Sequence, residues 1–385
     1  MLNFEYCNPT KIVFGRNTIA KLGALIPNDK KILMTYGQGS IKRNGVYDSV
    51  RAALQEHDVV EFGGIEANPW YETLMKAVDL VRANGVEFLL AVGGGSVLDG
   101  TKFIAAAARF EGEDPWDILA QGAAVTSAIP LASVLTLPAT GSEFNPNSVI
   151  SRKASREKRY FGSPHVYPVF SVLDPETTYS LPPRQLCNGI ADSYVHVLEQ
   201  YLTYPTAALL QDRQAEAILL ALIDAAPEIM AEKPDYEARA NFMWCAALAL
   251  NGLIGCGVPQ DWSTHVIGHE LTALYGIDHA QSLVIVAPSL LRHQRDNKRD
   301  KLLQYGRRVW QLQDADEDRL IESAIDRTEE FFRSLGMATR LSEYDIDVQD
   351  AAVRVSERID RSGMKLGERR QISPEHVADI LRMSG

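Results

Sequence analysis

The chain has 385 residues, of which 46 % are hydrophobic and 23 % are charged, the balance of an ordinary globular protein. That length predicts two or three domains and is enough to bury a sizeable core. The formal net charge is −11, and because an acidic chain repels phosphate backbones, the charge argues against nucleic-acid binding. The four cysteines contain no CxxC pair, which excludes a disulfide framework and indicates a reducing compartment such as the cytoplasm.

No segment has the pattern expected for export or membrane insertion. The N-terminal residues MLNFE lack a basic region followed by an apolar one, so no export signal is expected. The longest apolar run, at residues 242–258, is interrupted by Asn251 and by Gly252, Gly255 and Gly257. It is too short and too broken to span a bilayer, so we predict a buried helix and no membrane partner.

The first half of the chain alternates β-rich runs with helical patterns. Strands are predicted at residues 31–36, 59–62 and 88–92, and helices at residues 46–55, 71–83 and 97–108. The last of these strands, FLLAV, is continuously apolar, as is typical of a strand buried in a parallel sheet. This alternation predicts a Rossmann-like α/β domain in which helices cross over between parallel strands.

The second half is predicted to be almost entirely helical. Beyond a break at Pro183, apolar residues recur at helical spacing in residues 185–202, 207–230, 241–253, 281–291 and 316–335. We therefore predict an α/β domain of the nucleotide-binding type at residues 1–182 and an all-helical domain at residues 183–385. A cleft between two such domains is the usual place for a ligand.

A glycine-rich segment, GGGS at residues 93–96, follows the buried strand and begins a helix. Glycines let the backbone approach a pyrophosphate closely, and the amide groups at a helix N-terminus donate to it. We therefore assign the segment to a dinucleotide site, with Gly95 where no Cβ fits; the alternative is a tight turn without a ligand. Asp99 is assigned to the same site. The alternative is that Asp99 and Lys102 form an ordinary ion pair on the helix surface.

A second glycine segment, GQGS at residues 37–40, also follows a predicted strand. In dinucleotide folds an acidic residue at this place accepts a hydrogen bond from the 2′-hydroxyl of the adenosine ribose. Here no acid is present, and the Ser40 hydroxyl precedes Lys42 and Arg43. This pattern suits the 2′-phosphate of NADP(H), which needs donors and positive charge. The alternative is a simple turn with both cations in solvent.

Two further segments allow two interpretations each. Residues 136–143, TLPATGSE, are dense in hydroxyl groups, and such a loop either lines a ligand or caps a helix. Residues 152–159 form the only dense basic stretch. This stretch is either the solvated tip of a hairpin or a contact to a phosphate-bearing cofactor.

One aspartate and four histidines have the spacing of metal ligands. Asp192 and His196 lie four residues apart on a predicted helix, and His265 and His269 repeat that spacing, so each pair shares one helix face. His279 follows just beyond a turn. A carboxylate with imidazoles suits Zn²⁺ or Fe²⁺, whereas the lack of a glutamate between His265 and His269 excludes the zinc-protease motif. The alternative is a set of hydrogen-bonded core histidines.

These segments together resemble the iron-containing alcohol dehydrogenase family. The matching motifs, in order, are GGGSVLDGTK at 93–102, TLPATGSE at 136–143, VLDP at 172–175, LPPRQ at 181–185, GIADSYVH at 189–196 and HVIGHELTALYGIDH at 265–279. Within the family, the chain looks most like the branch of NADPH-dependent aldehyde reductases and butanol-dehydrogenase-like enzymes. The resemblance implies the dehydroquinate-synthase-like fold, with a dinucleotide-binding α/β domain and a helical metal-binding domain, and a homodimer.

The resemblance also implies roles that spacing alone does not assign. It implies that Asp192, His196, His265 and His279 bind the metal, and that His269 lines the substrate site, where it or a water relays the proton. It further implies that Lys158 reaches over the nicotinamide ribose. With the two glycine segments, the predicted NADP(H) site comprises Gly37, Gly39, Ser40, Gly94, Gly95, Ser96, Asp99, Thr136, Thr140, Asn145 and Lys158.

The function that follows is hydride transfer between NADP(H) and a metal-bound aldehyde or primary alcohol, mainly in the direction of aldehyde reduction, with Zn or Fe as the Lewis acid. One alternative is a non-redox lyase of the dehydroquinate-synthase type that uses NAD and a metal. Its phosphorylated acid substrate would require several basic residues, whereas Trp262, Leu274 and Tyr275 near the predicted ligands are aromatic or apolar. The other alternative is a metal- or nucleotide-binding regulatory protein without turnover.

Overall fold

A six-stranded parallel sheet forms the centre of the N-terminal half of the chain in the computed structural model, which describes residues 1–385. The strands are β1 (Lys11–Phe14), β2 (Ile32–Tyr36), β3 (Val59–Phe62), β4 (Phe88–Gly94), β5 (Leu131–Leu137), β6 (Asn147–Arg152), β7 (Glu157–Gly162) and β8 (Phe170–Leu173). The sheet has the order β1-β8-β5-β4-β2-β3, and all neighbouring strands are parallel. Strands β6 and β7 pair separately as an antiparallel hairpin.

Both faces of the sheet are buried, which explains why its central strands are continuously apolar. Because side chains alternate between faces along a strand, Leu33 and Leu89 pack into one core cluster, while Ile32 and Leu90 pack into another. The helices over these faces are α1 (Leu22–Leu25), α2 (Val46–Ala53), α3 (Tyr71–Asn84), α4 (Gly95–Ala107) and α5 (Asp117–Ala120). The predicted parallel α/β fold is therefore confirmed.

The rest of the chain is helical. Its helices are α6 (Pro183–Tyr201), α7 (Leu209–Met230), α8 (Tyr236–Ala249), α9 (Ser263–Tyr275), α10 (His279–His293), α11 (Arg299–Arg308), α12 (Glu317–Ser334), α13 (Val348–Ser362) and α14 (Pro374–Met383). Helix α10 packs against α6, α9, α12 and α14. Ile267 and Leu271 of α9 share a core cluster with Ile285 and Val286 of α10. None of these helices combines the length and the hydropathy that crossing a membrane requires.

The chain divides into two compact units. The α/β unit comprises Cys7–Pro182 and Pro234–Ala247, and the helical unit comprises Met1–Tyr6, Pro183–Lys233 and Leu248–Gly385. Most of α8 belongs to the α/β unit because Met243 and Ala247 pack against Leu135 and Leu173 of the sheet. This division shares the boundary before Pro183 with the predicted one and differs at residues 1–6 and 234–247. The description as two domains at residues 1–182 and 183–385 stays a prediction.

Several elements were not predicted. The edge strand β1 and its neighbour β8 have four residues each, too few for a clear alternation of polar and apolar side chains. The apolar run LASVLTL, which forms β5, was not predicted as a strand. Helices α11, α13 and α14 were also not predicted. The residues just before α13 and α14, Asp347 and Ser373, cap these helices with their side chains, which is a signal that the sequence offers.

Candidate metal centre and cofactor site

Four side chains of the helical unit converge on one point. Asp192 and His196 lie one turn apart on α6, His265 lies on α9, and His279 is the first residue of α10. The Oδ1 atom of Asp192 lies 3.8 Å from Nε2 of His196, and 3.7 Å from Nε2 of both His265 and His279. The ligand atoms of Asp192, His265 and His279 all lie within 4.8 Å of one another, and His196 lies beside Asp192 on α6.

The arrangement fits a metal ion. A tetrahedral ion with ligand atoms at about 2.1 Å would place neighbouring ligand atoms roughly 3.4 Å apart. The observed spacings of 3.7–3.8 Å are close to this value. They are too long for direct hydrogen bonds, and Asp192 Oδ1 and His265 Nε2 are buried without a hydrogen-bond partner. Buried polar atoms are costly when unpaired, and an ion between them would satisfy both.

His196 and Asp192 have the ionisation that metal binding requires, whereas Glu199 and Asp192 raise the pKa of His265 to about 9 against the effect of burial, so an ion would displace a proton from that ring. Burial lowers the pKa of His196 to about 4, although Asp192 opposes the shift, so this imidazole is neutral at pH 7. Burial alone would raise the pKa of Asp192, but the neighbouring histidines hold it below its usual range. Neutral imidazoles and an ionised carboxylate are the forms that coordinate a divalent cation.

One residue of this centre was missed by the sequence analysis. Glu199 Oε2 contacts Nδ1 of His265, the ring nitrogen that faces away from Asp192. Asp192, His196 and Glu199 lie at positions i, i+4 and i+7 of α6, so they share one face of the helix. This spacing was the signal that could have identified Glu199 beside the two predicted ligands.

His269 lies one turn after His265 on α9, beside the ligand cluster. Its ring centroid is 4.8 Å from that of His279 and 6.3 Å from that of His265. Its side chain is half-buried. The ring centroid of Trp262 lies 5.3 Å from that of His265 and 6.1 Å from that of His196, so one side of the cluster packs against an indole ring. The proton-relay role of His269 stays a prediction.

The predicted cofactor residues meet at the N-terminus of α4. Gly95 is the first residue of this helix, and no side chain caps it, so its terminal amide groups remain for a ligand. A Cβ at Gly95 would clash with the side chain of Thr140, and one at Gly94 would lie 3.0 Å from Leu137 Cβ. Gly95 is thus required by packing within the protein itself, before any ligand is considered. Ser96 Oγ accepts a hydrogen bond from the amide of Asn68.

The interpretation of Asp99 and Lys102 as an ion pair on the helix surface is wrong. Lys102 is completely buried, and its ammonium donates to both the carbonyl and the hydroxyl of Ser142 and to the carbonyl of Asn145. Asp99 accepts from the Ser142 hydroxyl and from the amide of Val149. Burial lowers the pKa of Lys102 to about 8, while nearby carboxylates limit the shift. The pair therefore anchors the loop after β5 to α4 from inside.

The other predicted residues of this loop and the hairpin lie around the same point. Thr136 is buried near the end of β5, and Thr140 Oγ1 accepts from the amide of Ser142. Asn145 is buried and donates to the carbonyl of Gly141 at 2.8 Å, so its side chain shapes the loop. Lys158 is half-buried on β7; burial raises the pKa of Asp99, and the charge of Lys158 helps to limit that rise. Their contacts to a cofactor stay predictions.

The loop after β2 holds the residues predicted to select the cofactor. A Cβ at Gly37 would lie 3.4 Å from the carbonyl oxygen of Ile65 and 3.6 Å from Val97, which are ordinary or slightly close contacts. Gly39 has φ +91°, a conformation that favours glycine, and Ser40 is exposed. The ammonium of Lys42 lies 4.8–4.9 Å from the rings of Tyr36 and Tyr47, so it is held against aromatic faces.

Glu143, in the same loop, has a buried carboxylate whose two oxygens accept no hydrogen bond. Burial raises its pKa from 4.5 to about 7. As the pH rises between these values, the unfolded chain loses this proton before the folded protein does, so stability falls across this window. We expect Glu143→Gln to remove that loss and to be more stable than the parent at pH 8 by on the order of 2–3 kcal/mol.

The measurement is the free energy of unfolding in denaturant at pH 5 and pH 8. The advantage of Glu143→Gln should be small at pH 5 and reach its full value above pH 7. Glu111→Gln, at an exposed position, is the control and should differ little from the parent at either pH. An equal effect of Glu143→Gln at both pH values would contradict the assignment of a buried carboxyl with a raised pKa.

Comparisons with known proteins identify the family. Residues 9–175 match the iron-containing alcohol dehydrogenase family, and residues 187–385 match the C-terminal region of the Fe-containing alcohol dehydrogenase family. The NADPH-dependent aldehyde reductase YqhD of Escherichia coli is 55 % identical over 97 % of both chains, and NADH-dependent butanol dehydrogenase A of Clostridium acetobutylicum is 39 % identical over the full length of both.

Solved structures agree with this result. A crystal structure of Escherichia coli YqhD superposes with a TM-score of 0.98 at 53 % identity, covering 100 % of this chain and 99 % of that one. The NADH-dependent butanol dehydrogenase A of Thermotoga maritima superposes with a TM-score of 0.94 at 34 % identity, with the same coverage. The resemblance inferred from the motifs is confirmed, and the chain belongs to the iron-containing alcohol dehydrogenase family.

Proposed function

We propose that this protein transfers hydride between NADP(H) and an aldehyde or primary alcohol, mainly to reduce aldehydes. The observation that carries the proposal is the convergence of three imidazoles on the unpaired Oδ1 atom of Asp192. The relative at 55 % identity is named an NADPH-dependent aldehyde reductase, which supports both the cofactor and the direction. Membership of the family and two relatives named as an aldehyde reductase and a butanol dehydrogenase disfavour the lyase alternative.

The chemistry divides between the two units. When bound, the metal supplies a Lewis acid for the substrate oxygen and the nicotinamide supplies or accepts the hydride. Asp192, His196, His265 and His279 hold the ion, and His269 donates the proton that the alcohol oxygen gains as the aldehyde is reduced. The balanced reaction consumes an aldehyde, NADPH and one proton and yields an alcohol and NADP⁺.

In the α/β unit, the amides at the N-terminus of α4 hold the pyrophosphate, because Gly94, Gly95 and Ser96 leave that helix end without a side-chain cap. Thr136, Thr140 and Asn145 line the cofactor, and Asp99 anchors their loop. Lys158 contacts the nicotinamide ribose, and Gly37, Gly39 and Ser40 border the 2′-phosphate. This set of contacts orients the reactive ring and excludes water from its face.

We propose that the ion is iron, because the family is described as iron-containing. Zinc is the alternative, since the same nitrogen and oxygen ligands also bind it. We further propose a homodimer, supported by exposed apolar side chains of the helical unit, among them Leu2, Phe4, Leu209 and Leu210. A cytoplasmic location is supported by four cysteines that form no disulfide.

The decisive experiment follows the absorbance of NADPH after butanal is added to metal-loaded protein. We expect NADPH to be consumed with one alcohol formed per NADPH, and we expect a chelator to abolish the reaction. Metal-loaded protein that binds NADPH without consuming it, with butanal or with other simple aldehydes, would favour the regulatory alternative. Release of inorganic phosphate from a phosphorylated acid without net NADPH consumption would favour the lyase.

A further inference from the structure

We propose that Glu199 is a positioning residue of the metal centre, in which one carboxylate fixes both the backbone and the ring of His265. This inference rests on the proposed metal site, since it concerns how one of its ligands is held. Glu199 is buried on α6, on the same face as Asp192 and His196. Its two oxygens have different partners, and both partners belong to the start of α9.

The first oxygen of Glu199 caps α9. The first amide groups of a helix have no partner within it, and a side chain just before the helix usually accepts from them. Trp262, at that position, makes no such bond. Instead, Oε1 of Glu199 accepts from the amide of Thr264 at 2.6 Å and from that of His265 at 3.3 Å. A carboxylate from a neighbouring helix therefore replaces the missing cap. Its negative charge also interacts favourably with the positive end of the helix dipole.

The second oxygen of Glu199 holds the ring of His265. Oε2 contacts Nδ1, which must carry the proton if it is to donate to a carboxylate. That tautomer leaves the lone pair on Nε2, the atom that lies 3.7 Å from Asp192 Oδ1. The carboxylate therefore sets both the direction of the ring and the nitrogen that is available to a metal, and it makes that nitrogen a stronger donor.

Glu199 is itself held in place by a buried group of charges. Its carbonyl oxygen accepts from the amide of Asp261 at 2.8 Å. Asp261 also accepts from the amide of Ser263, the first residue of α9. The buried ammonium of Lys298 lies 2.8 Å from Asp261 and 2.9 Å from Glu368. This cluster ties α6, the start of α9 and the residues before α11 together, so it fixes the backbone of Glu199 relative to the start of α9.

The test is the affinity for Co²⁺, used as a spectroscopic probe and measured by competition with a chelator. Glu199→Gln keeps the size of the side chain but loses one acceptor oxygen and the charge. We expect it to bind Co²⁺ about 10- to 100-fold more weakly than the parent, as is typical when an outer partner of a metal ligand is lost. The visible absorption of the bound Co²⁺ should also change, because the ring of His265 is no longer fixed.

Glu216→Gln is the matched control. Glu216 is equally buried in the helical unit, on α7, but it bonds Tyr201 and Arg308 and contacts no metal ligand. Its replacement should lower thermal stability yet keep the affinity for Co²⁺ and the spectrum of the parent. If Glu199→Gln does not fold, Glu199→Asp provides the same test, because it keeps the charge but is too short to reach both the backbone and the ring.

The outcomes separate this inference from the proposed function. Parent-like affinity and spectrum in a folded Glu199 variant would overturn the positioning role while leaving the metal centre in place. Equal weakening by Glu216→Gln would also overturn it, since the effect would then follow from general loss of stability. A parent protein that binds no Co²⁺ would overturn the metal centre itself, and the positioning role with it.

Discussion

Replacement of His265 by alanine is expected to leave the protein folded, strip it of metal and abolish aldehyde reduction. The change removes one of four donors and also leaves Glu199 Oε2 without its ring partner. Loss of an outer partner of a ligand typically costs about 10- to 100-fold in metal affinity, so loss of the ligand itself should cost more than that. Metal content by elemental analysis and the rate of NADPH oxidation with butanal are the measurements.

His165→Ala is the control for the loss of a histidine, because His165 is exposed and lies in the α/β unit. It should keep the metal content and the activity of the parent. Circular dichroism of the His265→Ala variant should retain the helical signal, since Ile267 and Leu271, which pack α9 into the core, are unchanged. Full metal content in His265→Ala would remove this residue from the ligand set.

The second large effect is expected at Gly37, where aspartate should abolish the preference for NADPH. Ser40 offers its hydroxyl and amide to the 2′-phosphate. A Lys42 ammonium that reaches the phosphate would add a charge-assisted hydrogen bond of roughly 1.5–3 kcal/mol, which is about ten- to a hundredfold in affinity. We therefore expect kcat/KM of the parent to favour NADPH over NADH by at least roughly tenfold. In Gly37→Asp, the carboxylate would repel the 2′-phosphate and accept from the 2′-hydroxyl of NADH.

The structure makes this substitution feasible. The backbone at Gly37 does not have the positive φ that distinguishes Gly39, and a Cβ there would meet neighbours at 3.4–3.6 Å. Gly37→Asn is the matched control, because it has the same shape without the charge and should reduce the preference much less. Equal efficiencies with NADPH and NADH in the parent would refute the interpretation, and the loop after β2 would then have no part in cofactor choice.

The sequence was most informative where one physical signal dominates. Strands β2 and β4 were predicted because burial on both faces of the sheet makes them continuously apolar and a glycine segment follows each of them. On α6, the spacing of Asp192 and His196 identified a shared face directly. The same reasoning did not separate His265 from His269 as a ligand, because both lie on one face of α9, and only the family resemblance made that choice.

Other features depended on contacts that spacing does not reveal. Lys102 occupies a helix position that is usually exposed, and its burial follows from the loop of Ser142 and Asn145 that folds over it. The role of Thr140 in excluding a side chain at Gly95 likewise arises between segments about 45 residues apart. The spacing of Glu199 from Asp192 and His196 could have identified it, but its role depends on contacts with the start of α9 that spacing does not reveal.

The proposed metal ligands all lie in the helical unit, whereas the proposed NADP(H) residues all lie in the α/β unit. Selection can therefore act on the choice of coenzyme without disturbing the residues that hold the ion. Gly37 is a position open to such change, because a Cβ there would meet its neighbours at 3.4–3.6 Å and Gly37 lies outside the helical unit. Relatives named for NADPH and relatives named for NADH, both aligned along nearly the whole chain, are the pattern that such independent evolution would leave.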